Sequence, residues 1–450
     1  MASKLVVFYR NLSVGLAMAL LAPATAAAAP DPMMSQQWAL ADPGAILARE
    51  AWTQSSGDGV LVAVLDTGIQ LDHPDLAGNV WTNPGEVPGN GRDDDANGIV
   101  DDVHGANMFN LNGDVDDDNG HGTHVAGIVA ASQGNGIGGS GLAPGAKILP
   151  VKVLDTSMAG TTDTLARGIR YAVDRGAKIL NVSVNSDRAT DDVKSATRYA
   201  GERGAIIVAS AGNNGRNIDL QPSYPASLPD LAILSVGAST SAGNLWNLSN
   251  TGVLSVDLAA PGEHIVSTAR ASSYQSRTGT SAAAPYVSAS LALLSAARPD
   301  LPMSALRDAI LSTTRRSNIA ASVLAGGHLD VGAAMHRVLA GLRWNMATPL
   351  ATTGVASGAG ALPALRLRTK STARANARVR LLWHATGADS VTRWRVSLDG
   401  RVVATVPVRH TRVSRRIWRT GRHKWRVVGF DARAAKVVSG QRAFRIVRWR

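Results

Sequence analysis

The sequence predicts an α/β fold, a mostly parallel sheet with helices on both faces, followed by a small all-β sandwich at the C-terminus. Three observations carry that prediction. Nearly continuous apolar strands alternate with helix-period segments between residues 60 and 313. Periodicity then fails over residues 344–363, a linker-like stretch rich in Gly, Ala, Thr and Pro. Beyond it the charge reverses: residues 1–342 hold 22 basic and 31 acidic side chains, residues 343–450 hold 24 and 3. The net charge of +12 describes neither part.

The chain therefore divides into a leader (1–29), an α/β domain (30–341), a linker (342–363) and a basic β-sandwich domain (364–450). With 450 residues, 45% of them hydrophobic, it can build a sizeable core, which excludes a disordered or collagen-like chain. Cysteine is absent, excluding disulfides, thiolate nucleophiles and cysteine metal sites together.

The first residues predict export. Lys4 and Arg10 precede the apolar run Val14–Leu21, and small residues follow from Ala22 to Ala29. A positive n-region, a short h-region and an Ala-x-Ala site make a secretory signal peptide, cut near Ala28 or Ala29. As a membrane anchor the run is too short for about 30 Å of hydrocarbon. No later segment has 18 uninterrupted apolar residues, so a secreted protein without a membrane span is expected, acting as a monomer.

Val60–Leu65 is a buried strand ending at Asp66-Thr67-Gly68, and Lys147–Leu154 is another. Thr162–Arg175 has helical spacing through Leu165, Ile169, Ala172 and Val173. Lys178–Val184 (strand), Asp191–Arg203 (helix), Ala205–Ala209 (strand) and Leu231–Val236 (strand) continue the alternation, and helices over 281–297 and 303–313 end it. In such folds functional residues collect beyond the carboxyl ends of the strands.

Four short motifs fall there. They are Asp66-Thr67-Gly68, His121-Gly122-Thr123-His124-Val125-Ala126-Gly127 opening a helix, Ser210-Ala211-Gly212-Asn213-Asn214-Gly215 after a strand, and Gly279-Thr280-Ser281-Ala282-Ala283-Ala284-Pro285 starting a small-residue helix. Each alone is common loop chemistry; together and in this order they are specific.

The set resembles the subtilisin-like serine peptidase (subtilase) family, with its chain order Asp…His…Ser. The resemblance spans residues 32–341, about two-thirds of the chain. It implies that Asp66, His121 and Ser281 form a triad and that Asn213 is the oxyanion-hole side chain. It also places Ser183, Val184, Asn185 and Gly212 along the substrate. The chemistry agrees. A serine hydroxyl needs an imidazole to take its proton during attack, and that imidazole then protonates the leaving amine. A carboxylate fixes the imidazole's tautomer without accepting the proton itself. His124 is the rival to His121, three residues along the same helical face, where a packed structural role is expected.

Departures matter. Ser183-Val184-Asn185-Ser186 stands where the family usually has Ser-Leu-Gly-Gly, so a narrowed or more polar specificity pocket is expected. Ala282 and Tyr286 replace the usual Met and His. Few residues separate the cleavage site from the catalytic domain, which implies an enzyme without the family's inhibitory pro-segment.

From Asp66 to Asp118 there are 13 carboxylates and a single Lys or Arg, Arg92. Asp93-x-Asp95-x-Asn97-Gly98, with Asp101 eight residues after Asp93, matches the opening of a calcium loop, although position twelve is His104. Hard cations prefer such oxygen ligands. Asp114-x-Asp116-x-Asp118 is a second candidate cluster; a solvated acidic loop is the other reading of both. The resemblance adds Asp75 and Asn135 as a further calcium site. Structural Ca²⁺ would supply rigidity that the missing cysteines cannot.

In the basic domain Trp383, Trp394, Trp418, Trp425 and Trp449 alternate with arginines along strands at Arg378–Trp383, Thr392–Leu398, Arg401–Val406, Lys424–Phe430 and Arg442–Val447. Asp399-Gly400 marks a hairpin turn. The pattern resembles fibronectin type III or other immunoglobulin-like domains. Arginines on one face could bind an anionic cell-envelope polymer; tryptophans packed inside with arginines solvated outside explain the same alternation.

The sequence thus points to a secreted, calcium-stabilised serine endopeptidase acting on protein or peptide substrates. An exported binding protein with a silent peptidase domain, and an esterase using the same residues, are the other readings.

Overall fold

The computed structural model describes residues 30–340, apart from 229 and 231, and the backbone of eight strands between 364 and 447, where side chains are described for Arg395, Val396 and Trp425 only. The leader 1–29 and the linker 342–363 lie outside the described residues.

Two short helices, α1 (Trp38–Ala41) and α2 (Ala48–Trp52), precede the central strand β1 (Leu61–Asp66). There follow β2 (Ala106–Asn107), α3 (His121–Ala130), β3 (Lys147–Lys152), α4 (Thr162–Asp174), β4 (Ile179–Val182), α5 (Asp191–Glu202), β5 (Ile206–Ser210) and β6 (Ile233–Ser239). Then come β7 (Leu258–Pro261), the hairpin β8 (Ile265–Ala269) and β9 (Ser273–Arg277), α6 (Thr280–Ala297), α7 (Met303–Thr313), β10 (Arg315–Arg316), β11 (Gly327–His328) and α8 (Val331–Leu339).

The main sheet is nine-stranded, in the order β10-β11-β7-β6-β5-β4-β1-β3-β2. Pairing is parallel from β2 through to β7, and β10 with β11 is antiparallel. Period-two alternation sends successive side chains of β1 to opposite faces. Val62 and Val64 enter a core with Val125 and Val129 of α3 and Leu291 and Leu294 of α6, whereas Ala63 and Leu65 enter a second core with Leu165 and Ile169 of α4 and Val193 of α5. Helices therefore cover both faces, as the apolar strands required. The register aligns Asp66 with Lys152, Leu65 with Val182, and Val182 with Ala209, so β1, β3, β4 and β5 end at one edge.

Observed boundaries differ from the expected ones by up to about two residues for most of these elements. The hairpin β8–β9 and helix α8 have no counterpart in the sequence reading. β9 is largely exposed, so it lacks the apolar alternation by which a half-buried strand is read.

In the C-terminal region the strands are β12 (Ala364–Thr369), β13 (Thr372–Arg374), β14 (Ala377–Thr386), β15 (Val391–Leu398), β16 (Arg401–Pro407), β17 (Arg412–Ile417), β18 (Gly421–Asp431) and β19 (Lys436–Val447). They form two sheets, β12-β14-β17 and β13-β19-β18-β15-β16. β15 and β16 pair antiparallel with Leu398 opposite Arg401, which puts Asp399-Gly400 between them as the turn signal required. Trp425 is fully buried, as is Val396. Trp418 and Trp449 fall outside the described residues, as do the side chains of Trp383 and Trp394.

Candidate active site

Asp66 closes β1 and is completely buried. Its Oδ1 accepts from Thr67 N at 2.8 Å and from His121 Nδ1 at 2.7 Å. A carboxylate only accepts, so Nδ1 carries the proton and Nε2 is left as the basic nitrogen. Two glycines make the approach of β1 and α3 feasible. A Cβ at Gly122 would lie 2.0 Å from Gly68 O and 3.1 Å from Asp66 Cβ, and Gly68 itself adopts φ 105°. Gly122 N donates to Thr67 Oγ1 at 2.9 Å, tying the helix start to the strand end.

A second carboxylate, absent from the sequence reading, completes this joint. Asp117 is buried and accepts five hydrogen bonds: from Thr67 Oγ1, Asn119 N, Gly120 N, Thr123 N and Thr123 Oγ1. It satisfies amides that the first turn of α3 leaves without intrahelical partners, and a negative charge there suits the helix dipole.

The other half of the site is the start of α6 against the loop after β5. Ser281 sits in the first turn of α6, where backbone N–H groups lack intrahelical acceptors. Thr280 orients Asn213: its N and its Oγ1 donate to Asn213 Oδ1 at 2.9 and 2.8 Å, while its Oγ1 accepts from Gly212 N at 3.0 Å. The Asn213 amide therefore offers Nδ2 away from Thr280. A Cβ on Gly279 would stand 3.0 Å from that Nδ2 and 3.4 Å from Ser281 Oγ, so both groups converge on a position that only glycine leaves open. Pro285 lacks the N–H that would bond Ser281 O four residues back. Ser183 Oγ approaches that carbonyl at 3.3 Å instead.

A cavity of about 390 Å³ opens between these halves, lined by His121, Ser281 and Asn213 together with His124, Val125, Met158, Arg277, Thr278 and Ala282. The candidates from four separate motifs thus meet. Ser183, Val184, Asn185 and Gly212 follow the ends of β4 and β5 and are not among the residues that line this cavity. Asn185 Nδ2 donates to Ser210 O at 2.8 Å and to Ser223 Oγ at 3.2 Å, spanning the two strand ends with a polar side chain.

Residues 57–334, more than half of the chain, match the subtilase family. The chain belongs to that family. This subtilase is accordingly a serine-type endopeptidase. It is similar to thermitase of Thermoactinomyces vulgaris, with 36% identity over 252 residues, 56% of this chain and 80% of that protein. It is also similar to a cell wall-associated protease of Bacillus subtilis, 40% identical over 253 residues, 56% of this chain and 25% of that much longer protein. Among solved structures, a protease from Pseudoalteromonas arctica PAMC 21717 superposes with a TM-score of 0.58 at 27% identity, covering 69% of this chain and 100% of the other.

The electrostatics of the subtilase site separate its two histidines. Burial is the largest influence on His121 and opposes its charge, but the attraction and hydrogen bond of Asp66, aided by Asp117, outweigh burial and the opposing Arg277. The net effect lifts His121 above 6.5. His124 is pushed down to about 3 by burial, then by Arg277. Its Nε2 donates to the carbonyls of Ile265 and Gln275 at 3.0 and 3.1 Å, so it stays neutral and fastens α3 to the β8–β9 hairpin. The expected structural role for His124 agrees with this geometry.

The acidic stretch of the subtilase is arranged differently from the expected loop. Asp93 accepts from Asn97 N and Gly98 N, and Asp101 from Asn90 N and Gly91 N, so both close turns. Of the four expected ligands, only Asp95 joins the carboxylate cluster that forms, with Glu86 and Asp102, and Asn97 reaches that cluster through its Nδ2 on Asp102. The physical reason is loop closure: Asn83 Nδ2 draws Asp95 and Asp102 together, and Tyr171 OH anchors Asp102 at 2.6 Å. Arg175 pairs with Asp95. Glu86 is 7% exposed and its Oε2 is buried without a hydrogen-bond partner among the described residues. Asp114 and Asp118 do not converge: Asp114 closes a turn onto Asp116 N, and Asp118 pairs with Lys152 Nζ at 2.8 Å. Elsewhere, Asp75 Oδ1 accepts from Asn135 Nδ2 at 2.7 Å and Oδ2 from Tyr274 OH at 3.1 Å, with Asp31 bound to Gly134 N and Asn135 N beside them. Asp31 was missed because it lies some 40 residues before Asp75 with no motif around it.

Proposed function

We propose that this subtilase is a secreted endopeptidase that hydrolyses peptide bonds through Asp66, His121 and Ser281. The observation that carries the proposal is the 2.7 Å pair of His121 Nδ1 and Asp66, whose imidazole faces the same cavity as Ser281 and Asn213. Ser281 Oγ attacks the scissile carbonyl carbon while His121 Nε2 takes its proton. The oxyanion is met by Ser281 N and Asn213 Nδ2, which Thr280 holds in orientation. The C–N bond then breaks, His121 returns the proton to the leaving amine, and an acyl-enzyme ester is left on Ser281. Water attacks this ester, its proton passing to His121, and Ser281 is regenerated. Asp66 keeps the imidazole in the required tautomer and stabilises the imidazolium. Ser183, Val184, Asn185 and Gly212 flank the acyl side of the substrate.

Structural calcium belongs to the proposal. Among the described residues, three carboxylates, Glu86, Asp95 and Asp102, are paired with one cation, Arg175, leaving two negative charges and the orphaned oxygen Glu86 Oε2 for a divalent ion. The Asp31, Asp75 and Asn135 cluster offers further oxygen ligands. The leader 1–29, the division at 342–363, a monomeric state and a basic sandwich at 364–450 that binds anionic envelope polymer complete the proposal; retention on heparin that falls with salt tests the last of these.

Hydrolysis of an internally quenched peptide library tests the reading. The wild-type protein should cleave internal peptide bonds, and Ser281→Ala should not. A folded wild-type protein that hydrolyses esters but no peptide would favour an esterase.

A further inference from the structure

One wall of the cavity beside Ser281 is cationic. Arg277, the last residue of β9, lines it alongside His121, Met158, Asn213 and Ser281. The guanidinium packs against the glycine that precedes His121, since a Cβ at Gly120 would lie 3.4 Å from Arg277 Nη2. The same Cβ would be 3.2 Å from Cγ of Arg270, a second arginine, whose Nη1 donates to Asp118 O at 2.9 Å.

Arg277 has no counter-charge among the described residues. Its Nε is buried and makes no hydrogen bond there, and no carboxylate pairs with it. The nearby acids are engaged otherwise: Asp66 with His121, Asp117 with the first turn of α3, and Asp118 with Lys152. A partly buried guanidinium without a partner is costly in itself, and a carboxylate is the group that its planar fork of donors matches.

The position of the cavity decides which part of a substrate would meet Arg277. The acyl-side residues Ser183, Val184, Asn185 and Gly212 lie outside it, whereas His121, the proton donor to the leaving amine, forms its wall. The segment released as the amine therefore passes Arg277.

We infer that Arg277 makes this cavity a carboxylate subsite for the leaving segment, so that the enzyme prefers substrates with an acidic group within the first two residues after the scissile bond. The inference rests on the endopeptidase reading above and names a substrate class for it. The carboxylate is an Asp or Glu side chain or the C-terminal carboxylate of a short leaving segment.

The test uses internally quenched peptides of one acyl-side sequence, with Glu, Gln or Lys at each of the first two positions after the scissile bond. A second set ends two residues after that bond, as free acid or amide. The wild-type protein, Arg277→Gln and Arg277→Glu are compared through ratios of kcat/KM. Wild type should favour Glu over Lys by about tenfold or more, Arg277→Gln should bring the ratio near one, and Arg277→Glu should invert it. Preference that persists with amidated acidic peptides assigns the subsite to the side chain; preference confined to the free acid assigns it to the terminal carboxylate. A wild-type protein that cleaves Glu and Lys peptides equally, or a ratio unchanged in Arg277→Glu, overturns the inference. A wild-type protein that cleaves none of the peptides overturns the endopeptidase reading, and this one with it.

Discussion

Oδ1 of Asp66 accepts the Nδ1 proton of His121 at 2.7 Å, joining the end of β1 to the start of α3 across 55 residues of chain. This one bond settles which nitrogen of His121 is basic. It also raises the imidazole's affinity for a proton against the opposing effect of burial.

Asp66→Asn should therefore lower kcat by about 10⁴, because an amide at this position can donate to the ring and favour the wrong tautomer. In wild type, kcat/KM should fall on the acid side with an apparent pKa above 6.5, since only neutral His121 can accept the Ser281 proton. Arg277 disfavours the imidazolium, so Arg277→Gln should move that limb to higher pH. A pH–rate profile of each variant checks both shifts.

Asn213→Leu removes one oxyanion donor and should reduce kcat by roughly 10²–10³ with little change in KM. Thr280→Val should give a smaller loss of the same kind, because the donor and the backbone bond from residue 280 N at 2.9 Å survive while the orienting hydroxyl bond at 2.8 Å does not.

Asp117→Ala leaves buried donors at Thr67, Gly120 and Thr123 unpaired, each worth about 1–3 kcal/mol. A large drop in Tm is expected. Burial pushes the Asp117 carboxyl up, yet hydrogen bonds from Thr123, Gly120 and Thr67 prevail and hold it below 3.8. Its stabilisation is thus complete above 3.8 and lost as pH falls through the lower folded value. His124 acts in a higher window. Unfolded, it titrates near 6.5; folded, near 3; so stability falls as pH drops between those values. Denaturant unfolding of His124→Asn should show a shallower pH slope over that window than wild type.

Chelation should lower Tm, and Glu86→Gln should lower it less in chelator than in calcium. A ligand bound to the native state alone adds about 2.7 kcal/mol at a hundredfold excess over Kd. Equal Tm values with and without chelator would remove calcium from the account.

The candidate site was legible where backbone crowding leaves a mark on the sequence. Gly68 and Gly122 stand where a Cβ would strike backbone atoms, and a Cβ at Gly279 would crowd Asn213 Nδ2 at 3.0 Å, so the short motifs around Asp66, His121 and Ser281 carry glycine at those positions. The parallel sheet was legible for a related reason, since strands buried on both faces read as continuous apolar runs. Groups chosen by loop folding were not. Glu86 and Asp102 become neighbours of Asp95 only after Asn83 and Tyr171 have bound that segment. Asp117 was one aspartate in a run of acids, and nothing local distinguished the one that turns inward. Arg277 ends an exposed strand without apolar alternation, and its place beside Ser281 follows from the hairpin's return toward α6.

The central claim is that Ser281 is an activated nucleophile within one assembled site. Labelling the folded protein with a fluorophosphonate and locating the adduct by mass spectrometry tests it most directly. The account predicts a single covalent adduct on Ser281, abolished in Ser281→Ala and strongly slowed in Asp66→Asn. A folded wild-type protein that takes up no label, or takes it up equally in Ser281→Ala, would contradict it.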